Sequence, residues 1–529
     1  MNDVDQSVVD SDLEQRPSRW MRILNWISGA LILSILIRFG WLLVPNGSRG
    51  GIEVGPDTTH VTEPATPDGF VDFAGAINRR AGDGVTPENN AVVKLIEAFG
   101  PTLIDEPHRD WYFTLLGIAP PPEQGDYLVE DDPFLGIAFP SVSHKESREL
   151  LEQLREDMGR ATNIQWTEND YPTVAEYLRA NDEPLRLIVE ATGRTRYYSP
   201  IPEPDAYLIG VLLPVEQQTR WAARLLLLRG MKRLGEGDAA GAWDDALACH
   251  RLARLTGQSP QTIGVLVAYA IDTMACAADA ALIRSDSLTA EQARQCLSDL
   301  DALPPIASAA DTTDFAERLQ ILDIYCRMAS GQLPDENDEA GSTFAMSLSG
   351  LAVDWNLMLR LANEHIDRGV EIMRVDDPYE RRAEFDRFER VLDSERVTVG
   401  DGVNAIIGLR GPMSRNLHAL MMSLHGGAYP QIRVAEMRIT AHLQLIRLGL
   451  ALRIHQLENG AYPATLAELA PGVLPEVPLD PCSGSDFIYQ STEGGFLLYS
   501  LGMNLTDDEA RGHDDDPRGD DIVLRVGVE

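Results

Sequence analysis

The residues best suited to chemistry lie near the carboxyl end of the chain. Between Asn504 and Asp521 stand Asp507, Asp508, Glu509, Asp514, Asp515, Asp516, Asp520 and Asp521, which concentrate negative charge in a short segment. Without a cation their repulsion opposes a compact loop, and carboxylate and carbonyl oxygens favour a hard ion such as calcium. His513 is the one softer donor in the run and cannot by itself build a zinc site. The same run also reads as a solvated acidic loop, the usual state of a charge cluster.

A second candidate is Cys249 beside His250, with Asp244 and Asp245 upstream, which can be drawn as a nucleophile and its base. Adjacent residues on a helix point about 100° apart, so one packed or surface histidine beside one core thiol is the simpler reading. Trp221, Trp243 and Trp355 read as core anchors in preference to a ligand cage. Other chemistry lacks its pattern: none of the ten histidines lies in H-E-x-x-H, and G-x-x-x-x-G-K-[ST] and G-x-S-x-G do not occur. The five cysteines, Cys249, Cys276, Cys296, Cys326 and Cys482, form no C-x-x-C pair and read mainly as buried free thiols. No catalytic or cofactor-binding residue is assigned on these grounds.

The elements that must position these residues begin at a membrane. Trp20 to Val44 reads WMRILNWISGALILSILIRFGWLLV, and Ile23 to Ile37 carries no charge. A bilayer core takes about 20 helical residues, and Arg38 can extend to the interface while Trp20, Trp26 and Trp41 lie at headgroup level. Arg16, Arg19 and Arg22 precede the span and only Arg49 follows it before Arg79, which places the amino end in the cytoplasm and the bulk in the periplasm or another extracytoplasmic space. A cleavable signal would need a small-x-small site where Arg38, Phe39 and Trp41 stand. The chain divides accordingly into a cytoplasmic tail (1–19), one transmembrane signal-anchor (20–44), a Gly-, Pro- and Thr-rich linker (45–69), a helical exported domain (70–429) and a carboxyl-terminal α+β module (430–529).

With 44% hydrophobic residues in 529, the chain can bury one large core or two to three ordinary ones. Lys plus Arg number 45 against 82 for Asp plus Glu, and the net charge of −37 repels a phosphate backbone, so nucleic acid is not an expected partner. The fold class expected is mainly α. Thr86-Pro87-Glu88 predicts a helix start and Gly100-Pro101 its stop; further helices are predicted at 145–160, 173–179, 215–234, 239–256 and 260–283, with a capping box at Thr289–Gln292 opening another. Helical stretches at 342–373 and 379–395 follow. Short turns between these helices imply antiparallel hairpins, and GDAAGAWDDALACHRLARL resembles the second helix of a tetratricopeptide-type hairpin.

Pro430 opens a long helix with Ala435, Ile439, Leu443, Ile446, Leu450, Ile454 and Leu457 at steps of three and four, and Asn459-Gly460 closes it. Strands are predicted at 487–490, 496–500 and 522–526. This order, with Asn459-Gly460-Ala461-Tyr462-Pro463, Asp480-Pro481, Tyr499-Ser500-Leu501-Gly502 and Asp520-Asp521-Ile522, resembles the globular part of the type II secretion major pseudopilin family from Ala435 to Val526. The resemblance implies a long helix on a small antiparallel sheet and a calcium ion in the acidic loop before the last strand. Its metal set would be Asn504, where the family usually has Asp, with Asp507, Asp508, Asp521 and the carbonyl of Leu501. The family's amino-terminal helix runs directly into this module, whereas here the span lies about 390 residues upstream. Val85-Thr86-Pro87-Glu88-Asn89-Asn90-Ala91 together with the tail also resembles large exported membrane proteins of planctomycete-like bacteria, a resemblance that implies no activity.

The expected function is that of a membrane-anchored extracytoplasmic scaffold or interaction protein, with envelope proteins as partners. The alternatives are an enzyme whose site is assembled from distant carboxylates in the helical domain, and an accessory component of a type II secretion-like apparatus.

Overall fold

The computed structural model describes residues 51–66, 69–202, 207–330, 353–394, 410–425, 428–492, 494–513 and 515–527. The expected span at 20–44 and Asp514 of the acidic run lie outside them. Helices carry the chain to Asn459, and a three-stranded antiparallel sheet in the order β1-β2-β3 closes it.

The first group holds α1 (Phe73–Ala81), α2 (Ala91–Phe99), α3 (Glu106–Leu116), α4 (Asp131–Ala138), α5 (His144–Ala161), α6 (Pro172–Ala180) and α7 (Asp182–Ala191). The second holds α8 (Pro214–Gly235), α9 (Ala239–Thr256), α10 (Thr262–Arg284) and α11 (Ala290–Asp301). Next come α12 (Ala309–Thr312), a π turn at Thr313–Glu317, α13 (Arg318–Ser330), α14 (Trp355–Met373), α15 (Pro378–Ser394), α16 (Arg410–His425) and the long α17 (Ala428–Asn459). The strands are β1 (Ile488–Ser491), β2 (Phe496–Ser500) and β3 (Ile522–Val526).

Local signals account for most of these boundaries. Asp238 caps α9 by accepting from the Gly241 amide, and Thr289 and Gln292 form the expected capping box on α11. The start of α2 departs from expectation: Asn90, not Thr86, is the cap. Asn90 Oδ1 accepts from the amides of Val92 and Tyr198, and its Nδ2 donates to the Tyr198 carbonyl, so one side chain ties the helix start to a segment 108 residues away. Thr86 belongs to the preceding turn, where its amide donates to Asn89 Oδ1.

The stretch expected as a solvated linker is docked from residue 51 onward. Thr58 and Thr59 are buried, Arg360 on α14 pairs with Asp57 at 2.7 Å and Glu53 at 3.0 Å, and Asn363 Nδ2 donates to the Thr58 carbonyl at 2.8 Å. Its polar composition therefore serves hydrogen bonds to a helix at Glu53, Asp57 and Thr58, while much of the stretch stays exposed.

Two hydrophobic cores form. One joins α1, α13, α14 and the Tyr429 end of α17; the other joins α2–α11, the rest of α17 and the sheet. Within the larger core α10 packs on α8, α9 and α17. It is the helix among the described residues that is long and apolar enough to cross a membrane, but its apolar stretch is mostly buried among its neighbours, as a core helix must be. On the face predicted to bear the sheet, Ile439, Ile446 and Leu450 are buried and Leu443 is half-buried, and the residues of α17 that reach the strands and the loop before them include Arg438 and Gly449. α17 as a whole packs on α10 and α11 as well as on β2 and β3. At Gly449 a β-carbon would stand 2.5 Å from Leu524 Cδ2 of β3 and 3.1 Å from Ile283 Cδ1 of α10, so sheet and helical layer meet at one residue. The expected 430–529 module thus shares its central helix with the domain before it.

Burial sets the expected cost of truncation. Leu450→Ala should destabilise by about 2–5 kcal/mol in urea denaturation, and Leu443→Ala by clearly less. Equal costs would mean that the helical faces are assigned wrongly.

Candidate functional site

β2 and β3 present the acidic loop. Their register pairs Ser500 with Ile522, which places Leu501 opposite Asp521 at the loop's base. Within the loop Asp508 Oδ2 accepts from the Asp520 amide and from Asn504 Nδ2, both at 2.8 Å. Asp507 Oδ1 accepts from the Glu509 amide at 2.9 Å and from the Tyr499 hydroxyl at 3.2 Å. Asp520 accepts from the amides of Met503 and Asn504 and pairs with Arg438 of α17, which anchors the loop to the long helix. Leu505, Glu509 and Ala510 adopt positive φ, a conformation unfavourable for side-chain-bearing residues that these hydrogen bonds sustain.

Asp521 differs from its neighbours. It is 4% exposed, and neither carboxylate oxygen has a hydrogen-bond partner. Burial raises its pKa to about 6, the nearby amides of Asp508 and Ala510 offset part of that rise, and the charges of Asp508 and Asp507 add to it. A carboxylate buried this far is costly to ionise, and a proton or a cation would relieve it. Of the expected ligands, Asp507 and Asp508 lie near enough for their charges to act on Asp521, and Leu501 stands opposite it, but the three carboxylates do not converge as tightly as a metal-ligand set. Asn504 serves differently, because its Oδ1 accepts from the Thr506 amide and its Nδ2 holds Asp508.

The second cluster was only half visible in the sequence. His250 on α9 is fully buried, as is Cys249, but they face different ways: the Cys249 thiol meets the Ala223 carbonyl of α8, and His250 meets α10. His250 Nδ1 lies 2.7 Å from Asp272 Oδ1, and Nε2 lies 2.9 Å from Asp279 Oδ2. Arg254, one turn along α9, bonds the other oxygen of Asp272. Burial alone would lower the pKa of His250, but the two carboxylates raise it to about 9. Burial likewise pushes up Asp279, which His250 partly offsets. The cluster is not a nucleophile with a base, since burial drives the thiols of Cys249 and Cys276 far above their usual range. A signal for it did exist: Asp272 and Asp279 stand seven apart in an otherwise apolar helix, and buried carboxylates demand partners.

A third polar island surrounds Glu216 in the first turn of α8. Glu216 is 1% exposed, and burial raises its pKa to about 7, with its own backbone amide, the Ser259 hydroxyl 3.3 Å away and Tyr197 offsetting part of the rise. Glu216 Oε2, Tyr197 OH and Gln261 Nε2 have no partner. On the smaller core, His418 is also buried, bonded to His365 at 2.9 Å and to the Tyr325 hydroxyl at 3.1 Å; burial and the neighbouring imidazole hold its pKa down at about 3.

No known protein family, characterised protein or solved structure matches this chain.

Glu216 makes stability depend on pH. Its folded pKa lies above the ordinary carboxylate value, so the folded state holds a proton that the unfolded chain releases. The stabilisation is complete below about pH 4.5 and is lost as pH rises through about 7, amounting to about 3 kcal/mol. Glu216→Gln should remove that slope, so that the variant gains on the wild type between pH 5 and pH 8 in denaturant titrations. Parallel stabilities at the two pH values would show that Glu216 is ionised in the fold.

Proposed function

We propose that this protein is a membrane-anchored extracytoplasmic scaffold whose acidic carboxyl-terminal loop is braced by calcium. The observation that carries the scaffold reading is where the buried polar groups lie. His250, Asp272, Asp279 and Glu216 are each at most 1% exposed and face other side chains of the core, the arrangement of groups that hold helices together. Paired helices resembling tetratricopeptide hairpins offer grooves for envelope partners, and the pseudopilin-like tail makes components of a secretion apparatus the first to try.

Calcium in the loop rests on Asp521. The cation would be held by Asp521, Asp507 and Asp508 with the Leu501 carbonyl, and it would neutralise charge that otherwise opposes the loop. The anchor rests on Trp20 to Val44, and the docked stretch limits how far the body stands from the bilayer. From Val44 to Gly51 is seven residues, at most about 25 Å of extended chain, so α14, on which that stretch lies, faces the membrane.

Two measurements test this reading. In intact cells the protein should remain with the membranes and its carboxyl end should be open to added protease, while a mature form lacking residues 1–44 or a fully protected body would refute the topology. Calcium at millimolar concentration should raise the melting temperature of the wild type, and Asp521→Asn should abolish the rise while stabilising the calcium-free protein by removing an orphaned charge. An unchanged melting temperature in the wild type would refute the calcium assignment.

A further inference from the structure

Asp272, Cys276 and Asp279 follow one another on α10 at steps of four and three, so they share one face, and that face meets His250 of α9. A ring nitrogen of His250, the Cys276 sulfur and an Asp279 carboxylate oxygen all lie within 4.8 Å of one another, and all three residues are buried. Asp279 Oδ1 is sealed from solvent and has no hydrogen-bond partner. Asp272 holds Nδ1 of the same imidazole at 2.7 Å, the carboxylate–histidine arrangement that orients a ring to present its other nitrogen, Nε2, to a metal.

We propose that His250 Nε2, the Cys276 thiolate and Asp279 form a site for a borderline-soft divalent cation of the zinc class. A nitrogen, a sulfur and an oxygen donor suit such an ion, whereas the thiolate disfavours calcium or magnesium. Charge balances inside the core. Arg254 neutralises Asp272, and the cation neutralises the Asp279 carboxylate together with the Cys276 thiolate. Binding releases two protons, one from the Cys276 thiol and one from Nε2, whose lone pair goes to the metal. Metal–ligand bonds of about 2.0–2.3 Å set tetrahedral donors about 3.3–3.8 Å apart, so His250 Nε2 and Asp279 Oδ2, now at 2.9 Å, would open slightly while the wider pairs close.

The site has a signature that the acidic loop cannot imitate, because the loop has no sulfur. The full chain, purified without chelators, should carry about one zinc per molecule by elemental analysis. When isolated from cells grown with cobalt(II), it should show a thiolate-to-cobalt charge-transfer band. Cys276→Ser should lose the band and the zinc, whereas Cys249→Ser should keep both. Wild-type protein that holds no zinc and shows no such band, or a Cys276→Ser variant with undiminished metal, would overturn the proposal and leave His250 as an imidazolium held between two carboxylates.

Discussion

A carboxylate on the buried face of a helix cannot turn to water, and α10 carries two aspartates, Asp272 and Asp279, on that face. Each carboxylate taken into the core without a partner would cost several kcal/mol, so the helices around α10 must deliver partner groups at fixed points along it. α9 does this with His250 and Arg254, one helical turn apart, which engage Asp272 and Asp279. That pairing fixes the axial register of α9 against α10, since a slide by one turn would strand both charges. α8, packed on both helices, solves its own version of the problem: Asp245 of α9 is clamped by Arg229 at 2.6 Å and Arg233 at 2.9 Å. Buried charge thus specifies how the hairpin layer is assembled, while its stability comes from the apolar area around it.

The same helix sets the place of the carboxyl-terminal sheet. α17 lies against α10 and α11 on one side and the strands on the other, and Gly449 lets it approach both. Arg438 on that helix reaches Asp520, so the acidic loop is held from below by a cation of α17 and from within by its own amides. Asp521 is left over. Among the described residues only the amides of Asp508 and Ala510 face it, and the strand register keeps it inside.

How far the sequence disclosed this depends on the range of each interaction. Helices α8 to α11 and strands β2 and β3 were readable because Asp238, Thr289, Gly235 and the alternation of β3 act on residues within a few positions. His250 and Cys249 were rightly read as packed and unrelated. The start of α2 was misread because Asn90 is chosen by Tyr198, far along the chain. The stretch after residue 51 was misread because its partners on α14 lie about 300 residues downstream, and nothing local distinguishes a polar segment that binds a helix from one that binds water. Asp272 and Asp279 were visible as anomalies in an apolar helix, but the identity of their partner is a tertiary fact. The acidic loop was legible as a charge cluster, whereas the isolation of Asp521 within it was not.

The central claim is that the helical layer and the carboxyl-terminal sheet form one cooperative unit built around α10. Native-state hydrogen exchange on the purified chain tests it directly. Amides in the middle of α9, α10 and α17 and in β2 should open together, with the same free energy and the same denaturant dependence. If α17 and the strands exchange through a separate opening of lower free energy while α9 and α10 stay protected, the shared core is wrong and the tail is an independent module.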